Sequence, residues 1–316
     1  MPLTRSVLVF VFAAAVAAAA PPPSPAQPSA PSRPLELIVL GTGTPVPDPD
    51  AWGPANAVVV GDRVFLVDAG AGVTRRLAAA GFPRIKDVAA TFITHLHSDH
   101  TLGYPDLIFT TWIMGRREPL PVYGPPGLRR MTDGILDTWR EDLDVRVKGL
   151  ERETRDWLRA DVTEIREGVV YDRLGVKVTA VPVSHGDWPA FAFRFDANGR
   201  SITFSGDTGP SAALTKAARG TDILVHEVYN GKRVKPEARP GGEFWPEYLR
   251  TSHTSDAELA RMASEVKPGL LVLTHVLRLG GTNEEILQNI REGGYKGRVV
   301  VARDLDRFTP GGTAAK

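Results

Sequence analysis

The chain has 316 residues, with 38 Lys plus Arg against 37 Asp plus Glu, a formal net charge of +1 and no cysteine. The missing thiols exclude disulfides, thiolate zinc sites, a cysteine nucleophile and a lipoprotein anchor, and the balanced charge gives no bulk attraction for a polyanion such as a nucleic acid. A hydrophobic content of 42% and a charged content of 24% are ordinary for a soluble globular protein, long enough for one large α/β domain or two smaller ones.

At the N-terminus, Arg5 precedes an apolar core over 7–16 and an alanine run, with Ala17 and Ala19 in a small-residue cleavage pattern. This predicts a signal peptide over residues 1–20, cut near Ala19 or later after Ala26. The apolar core falls short of the roughly 20 residues that a spanning helix needs. The mature chain is therefore expected to lack a membrane span and to be exported, periplasmic or secreted. Residues 21–34 are rich in proline, serine and alanine and read as a disordered linker. Residues 35–316 are left as a single folded domain.

Residues 35–40 form an apolar strand running into Gly41-Thr42-Gly43-Thr44-Pro45. The lysine of a phosphate loop is missing and no helix pattern follows, so this is a tight turn. Residues 57–60 and 63–67 pattern as a hairpin across Gly61-Asp62, and 73–80 as a helix. Asp68, at the end of the second strand, is either a turn residue or a partner that holds a metal ligand.

The strand over 88–94 delivers His95-Leu96-His97-Ser98-Asp99-His100. Three imidazoles and a carboxylate so close together cannot be buried cheaply unless something cationic holds them. The spacing sets His95 and His97 on one side of an extended segment and turns Asp99 and His100 the other way, a layout for two adjacent metal ions. Helical spacing follows over 102–114, then a short strand at 121–123 and a helix over 128–139. Residues 140–167 mix acidic and basic side chains and read as solvated surface, with a lid or a dimer contact as alternatives. A homodimer stays open on this reading.

The second half repeats the grammar, with strands at 176–183, 190–195, 201–204, 222–226, 270–274 and 298–302 and helices at 211–218, 255–265 and 284–292. Two similar halves predict two sheets packed face to face with helices outside. His185, His226, His253, His275 and Asp207 all fall at or beside strand ends or helix starts, where layered α/β folds gather functional groups. The chain holds seven histidines, and none lies elsewhere.

In their order, Asp68, the His95-x-His97-x-Asp99-His100 run, His185, Asp207 and His275 resemble the landmarks of the metallo-β-lactamase-fold hydrolases, over about Leu35 to Phe308. The resemblance implies an α/β fold, a four-layer αββα sandwich of two mixed sheets, with a two-metal site along one edge. It also implies that His95, His97 and His185 hold one metal, that Asp99, His100 and His275 hold the other, and that Asp207 bridges. Leu224-Val225-His226-Glu227 followed by Ser252-His253-Thr254-Ser255 looks like the paired motifs of ribonuclease Z and its relatives. Carried over, Glu227 orients His253 and His253 protonates the leaving group. Residues 102–109 and Ser205-Gly206-Asp207-Thr208 are similar to exported arylsulfatase-like and phosphodiesterase-like members. A Gly-Pro-rich basic arm for gripping transfer RNA is missing, which points instead to a small anionic ester as substrate.

Imidazole and carboxylate donors without thiolate suit two divalent ions, Zn²⁺ first, with Mn²⁺ or Fe²⁺ as alternatives. Such a pair lowers the pKa of a bridging water to about 7, and Asp99 can accept its proton. His253, held by Glu227, fits the proton donor. The expected activity is hydrolysis of a phosphodiester or (aryl)sulfate ester by a metal-bridging hydroxide. Opening of a lactam or lactone ring, and metal binding without catalysis, are the alternatives. Trp188, Trp245 and Tyr248, with Phe109 and Trp112, are expected to offer an aromatic wall to an aryl or nucleobase group. Lys232, Arg233, Lys235 and Arg239 form a basic loop that either meets an anionic ester or is simply solvated.

Overall fold

A computed structural model describes residues 35–82 and 87–312; the expected signal peptide (1–20) and linker (21–34) lie outside them. The first sheet contains β1 (Leu35–Gly41), β2 (Ala55–Val60), β3 (Arg63–Val67), β4 (Val88–Phe92), β5 (Leu120–Gly124) and β6 (Ala160–Glu164). Its first three strands are antiparallel and the rest parallel. The second sheet contains β7 (Gly168–Arg173), β8 (Val176–His185), β9 (Trp188–Ala197), β10 (Arg200–Phe204), β11 (Ile223–Tyr229), β12 (Leu270–Leu277) and β13 (Val299–Val301), antiparallel up to β10 and parallel beyond it. A last strand, β14 (Arg307–Phe308), returns to the first sheet and pairs with β1.

Period-2 alternation sorts these strands into layers. Leu37 and Val39 face the layer between the sheets, while Ile38 and Leu40 face the helices outside. Val225 and Val272 likewise point inward where Leu224, Leu271 and Leu273 point outward. The middle layer is aromatic. Phe92 sits 5.1 Å from Tyr123, 5.5 Å from Phe193 and 5.2 Å from Phe195, ring centre to ring centre, which ties the two sheets together. Outside the first sheet lie α1 (Val73–Ala79), α3 (Tyr104–Ile113) and α4 (Leu128–Thr138), and outside the second lie α7 (Ala212–Ala218), α9 (Asp256–Val266) and α10 (Asn283–Glu292). The expected αββα sandwich is the fold observed.

Several details differ from the sequence reading. The expected helix over 102–114 is α3, but a separate turn, α2 (Ser98–Thr101), precedes it; Gly103 between the two packs its Cα against the Gly70 carbonyl, where a Cβ would lie 2.1 Å from that oxygen. The mixed-charge stretch 140–167 is more than solvated surface. It forms α5 (Arg140–Lys148) and α6 (Arg155–Leu158) and then β6, the edge strand of the first sheet. Only Val162 of β6 is buried, so the hydrophobic signal of a strand is nearly erased there. A helix, α8 (Trp245–Ser252), was also missed, since Gly241, Gly242 and Pro246 break its pattern.

Candidate metal centre and active site

The parallel halves of both sheets end on one side of the sandwich, where open α/β sheets gather ligands at the C-terminal ends of their strands. Asp68 follows β3, the His95–His100 run follows β4, and Asp207 follows β10. His185 closes β8, Glu227 lies in β11 and His275 in β12. The backbone linking the sheets here is short: the Phe191 N–H donates to the Thr94 carbonyl at 2.9 Å. Gly206, with φ +60°, lets the turn into Asp207 pass against Thr94, where a Cβ would come within 3.0 Å.

His275 is aimed by a β-bulge. His226 pairs with Leu273 and Val228 with Val276, so two residues of β12, Thr274 and His275, oppose the single Glu227. His275 takes φ 46°, the left-handed region that few histidines adopt. The extra residue turns its ring out of the ladder and into the site.

His95, His97 and His185 form the first group. His97 Nδ1 lies 3.0 Å from His95 Nε2 and 3.0 Å from His185 Nε2. The outer nitrogens fix the tautomers. His185 Nδ1–H donates to the Ser252 carbonyl at 2.7 Å, and His95 Nδ1 lies 3.0 Å from the Thr94 hydroxyl. Both Nε2 lone pairs are therefore left facing inward. Burial pushes His95 well below the ordinary histidine pKa, and burial with the His185 charge takes His97 down to about 4. Burial lowers His185 as well, so the surroundings of all three rings favour the neutral form that binds metal.

Asp99, His100 and His275 form the second group, with Asp207 against both. His275 Nε2 is 3.2 Å from Asp99 Oδ2 and 3.5 Å from Asp207 Oδ2, and His100 Nε2 is 3.5 Å from Asp99 Oδ2 and from Asp207 Oδ1. The first of these is a hydrogen bond, the 3.5 Å separations are loose for one, and all suit neighbouring ligands of one ion. His100 Nε2 is buried without a hydrogen-bond partner. Burial alone would lower the His100 pKa, yet the Asp207 and Asp68 carboxylates outweigh it and hold the ring well above the usual value. The surroundings favour positive charge at this point, and a divalent ion fits the donor set on both counts.

Asp68 acts behind His100. It accepts the Thr94 N–H at 2.8 Å, takes the Thr94 hydroxyl at 3.0 Å, and holds His100 Nδ1 at 2.9 Å. Its φ of 63° also makes it the turn residue at the end of β3, so one carboxylate both closes the turn and holds the His100 ring.

His253 stands beside both groups, its ring 5.0 Å from that of His185 and 6.0 Å from that of His275. Glu227 Oε1 accepts the Thr254 N–H at 2.9 Å and the Thr208 N–H at 3.3 Å, which leaves Oε2 3.3 Å from His253 Nδ1. Burial lowers the His253 pKa, but the Glu227 charge wins and the net shift is upward. His226, by contrast, turns away and bonds the Glu227 carbonyl through Nδ1 at 2.6 Å.

A cavity of about 680 Å³ opens from His97, Asp99, Asp207, His253 and His275. Trp245 and Tyr248 from α8 line it, as do the proline-rich segment 44–49 and the chain following His275. Trp188, expected in the same wall, packs 4.9 Å from the His97 ring but does not line this cavity. Phe109 and Trp112 are not part of this wall. Both are buried in the helical layer outside the first sheet, as their helical spacing favours, and the Trp112 indole donates to the Thr154 carbonyl. The basic loop is largely neutralised: Lys232 pairs with Glu292, Arg233 with Glu285 and Arg239 with Glu237. The sequence reading missed Asp304, which accepts the N–H groups of Thr42 at 2.9 Å and Trp52 at 3.0 Å and so clamps the segment forming the opposite wall. Among the described residues, no helix is long and apolar enough to cross a membrane.

The profile of the β-lactamase superfamily domain matches residues 63–276. Ribonuclease Z of Mycobacterium bovis is 34% identical over 263 residues, covering 82% of this chain and 92% of the relative. Ribonuclease Z of Mycolicibacterium paratuberculosis is 36% identical over 260 residues, covering 81% and 91%. Among solved structures, the metallo-β-lactamase fold protein YhfI from Bacillus subtilis superposes with a TM-score of 0.67 at 17% identity, over 87% of this chain and 98% of that one. The short form of human tRNase Z gives 0.65 at 22% identity over 87% and 99%, and Zn²⁺-bound PqqB from Methylobacterium extorquens gives 0.60 at 17% over 86% and 99%.

Proposed function

The chain belongs to the β-lactamase superfamily as a ribonuclease Z homologue and is a hydrolase of the metallo-β-lactamase fold, and from that premise we propose that it is an exported, binuclear metal-dependent phosphodiesterase. The observation that carries this reading is the Glu227–His253 pair, fixed beside the two ligand groups, with His253 lining the cavity. A phosphodiester breaks only when its leaving oxygen is released, and an alkoxide leaves poorly without a proton. His253, kept protonated by Glu227, supplies that proton to the leaving oxygen. Glu227 cannot swing away, because two backbone N–H groups hold its other oxygen.

His95, His97 and His185 would hold one ion, Asp99, His100 and His275 the other, and Asp207 both; the donor set favours Zn²⁺, with Mn²⁺ or Fe²⁺ as alternatives. Divalent ions bound there supply Lewis-acid charge to the phosphoryl group and a water acidic enough to attack at neutral pH. Asp99, half-buried and lining the cavity, would accept and orient the proton of an attacking water. Homology to ribonuclease Z supports RNA as a substrate class, whereas the near-zero net charge and neutralised basic loop favour a smaller diester. Export rests on the charged, apolar and small-residue pattern of residues 1–20.

The test uses purified chain and bis(4-nitrophenyl) phosphate. Turnover should be abolished by a chelator and restored by Zn²⁺ or Mn²⁺, and His253→Ala should slow methyl phenyl phosphate, whose leaving group needs a proton, much more than bis(4-nitrophenyl) phosphate, while leaving metal content intact. Diester hydrolysis that survives chelation would sink the reading. For export, residues 1–34 fused to a reporter active only outside the cytoplasm should give signal, and a silent fusion would refute it.

A further inference from the structure

We propose that the cavity binds an aromatic group carried on the leaving side of the substrate, through a stack formed by Trp245 and Tyr248. This rests on the phosphodiesterase reading and adds the substrate's chemical class to it. The rings of Trp245 and Tyr248 lie parallel, 5.2 Å apart and 17° from coplanar, and the Arg239 guanidinium covers Trp245 at 5.6 Å. Tyr248 in turn meets the His253 ring at 5.5 Å, edge to face. A continuous aromatic surface thus leads away from the proton donor along the cavity wall.

Position on that surface determines which end of the substrate it touches. His253 must reach the leaving oxygen, so whatever that oxygen carries extends along the wall beginning at Tyr248. Trp188 lies instead beside His97, on the side of the first ligand group. Charge is not the recognition element here, because Glu237 pairs with Arg239 at 2.5 Å and lines the same cavity. Planar surface is what remains, half-buried and presented by a helix whose Leu249 is anchored in a small apolar cluster with Tyr229 and Leu277. The volume of about 680 Å³ falls within the roughly 300–1,000 Å³ typical of sites for small organic ligands. The opposite wall is stiff, since Pro45, Pro47 and Pro49 fall within it and Asp304 clamps the chain on either side. An aryl or nucleoside ester fits this slot.

Two diesters with leaving groups of similar acidity separate recognition from chemistry: methyl phenyl phosphate and methyl 1-naphthyl phosphate. The kcat/KM ratio of naphthyl to phenyl should be about tenfold, the order of aromatic stacking contributions. In Trp245→Leu and in Tyr248→Leu that ratio should fall toward unity, whatever the change in absolute rate, with circular dichroism reporting the fold. A wild-type ratio near unity, or a ratio that both variants keep, would overturn the subsite while leaving diester hydrolysis standing. If neither these esters nor bis(4-nitrophenyl) phosphate is cleaved, the phosphodiesterase reading fails instead. Calorimetric binding of 1-naphthyl phosphate then judges the subsite alone: binding lost in Trp245→Leu upholds it, and equal binding or none in the wild type refutes it.

Discussion

Replacing Asp68 by asparagine tests whether the proposed metal centre depends on residues that never touch the ions. Asparagine has the same shape and tolerates the left-handed φ of 63°, so the turn after β3 survives. Its carbonyl oxygen can still accept the Thr94 N–H now held at 2.8 Å. Its amide then faces His100 Nδ1, which in the native chain lies 2.9 Å from a carboxylate oxygen. An amide there is a donor, so the imidazole must accept through Nδ1 and carry its proton on Nε2. That proton points into the ligand group with Asp99 and His275 and blocks coordination.

Loss of a partner to a metal-binding histidine costs about 10–100-fold in metal affinity. At about 1.4 kcal/mol per decade that is about 1.4–2.8 kcal/mol, in line with a charged hydrogen bond worth about 1.5–3 kcal/mol. Competition between the protein and a chromophoric chelator for Zn²⁺ measures this directly. The second equivalent should weaken by that factor and the first, held by His95, His97 and His185, should change much less. An Asp68→Asn protein that binds both equivalents as tightly as wild type would refute the reasoning, since Asp68 would then be a turn residue only.

Other expectations follow from the same geometry. His253→Ala should lower kcat for a phosphodiester by about 10²–10⁴, and Glu227→Gln should reproduce part of that loss, both with unchanged metal content by atomic absorption. His97→Ala should bind one metal equivalent fewer, and a chelator should lower the melting temperature of the wild type, because an ion held at 1,000 times its Kd stabilises by about 4 kcal/mol. Phe92→Ala, in the layer between the sheets, should destabilise by about 3–5 kcal/mol in urea unfolding; a loss under 1 kcal/mol would mean that the aromatic layer does not hold the sheets together. Asp304→Ala should free the 42–52 wall and raise KM more than it lowers kcat.

The fold was legible where burial is simple. Strands β1, β3, β4 and β11 alternate or run apolar; Asp68 and His95 follow the ends of β3 and β4, and Glu227 lies near the end of β11. It was obscured where the strand is only half a strand. β6 buries Val162 alone among charged neighbours, and β14 has two residues, too few for any period. The proposed ligands were legible because histidine is scarce in this chain and falls only at or beside the ends of strands and helices. The angle of His275 could not be found, because a bulge arises from pairing between β11 and β12 and leaves no mark in either strand. Phe109 and Trp112 show the converse error. Their spacing correctly described a helix with a buried face, but a buried face can meet the core as readily as the site, and only the tertiary packing decides.

The division of the proposed ligands between the sheets has a consequence for assembly. His95, His97, Asp99 and His100 come from the loop after β4, while His185, Asp207 and His275 come from the other sheet. Neither sheet alone can complete a coordination shell. A slip by one strand spacing, about 4.8 Å, would carry every cross-sheet pair out of reach. Metal uptake at the proposed centre would therefore proofread docking: a sandwich closed in the wrong alignment would stay metal-free, and in a destabilised variant the centre should empty before the sheets come apart.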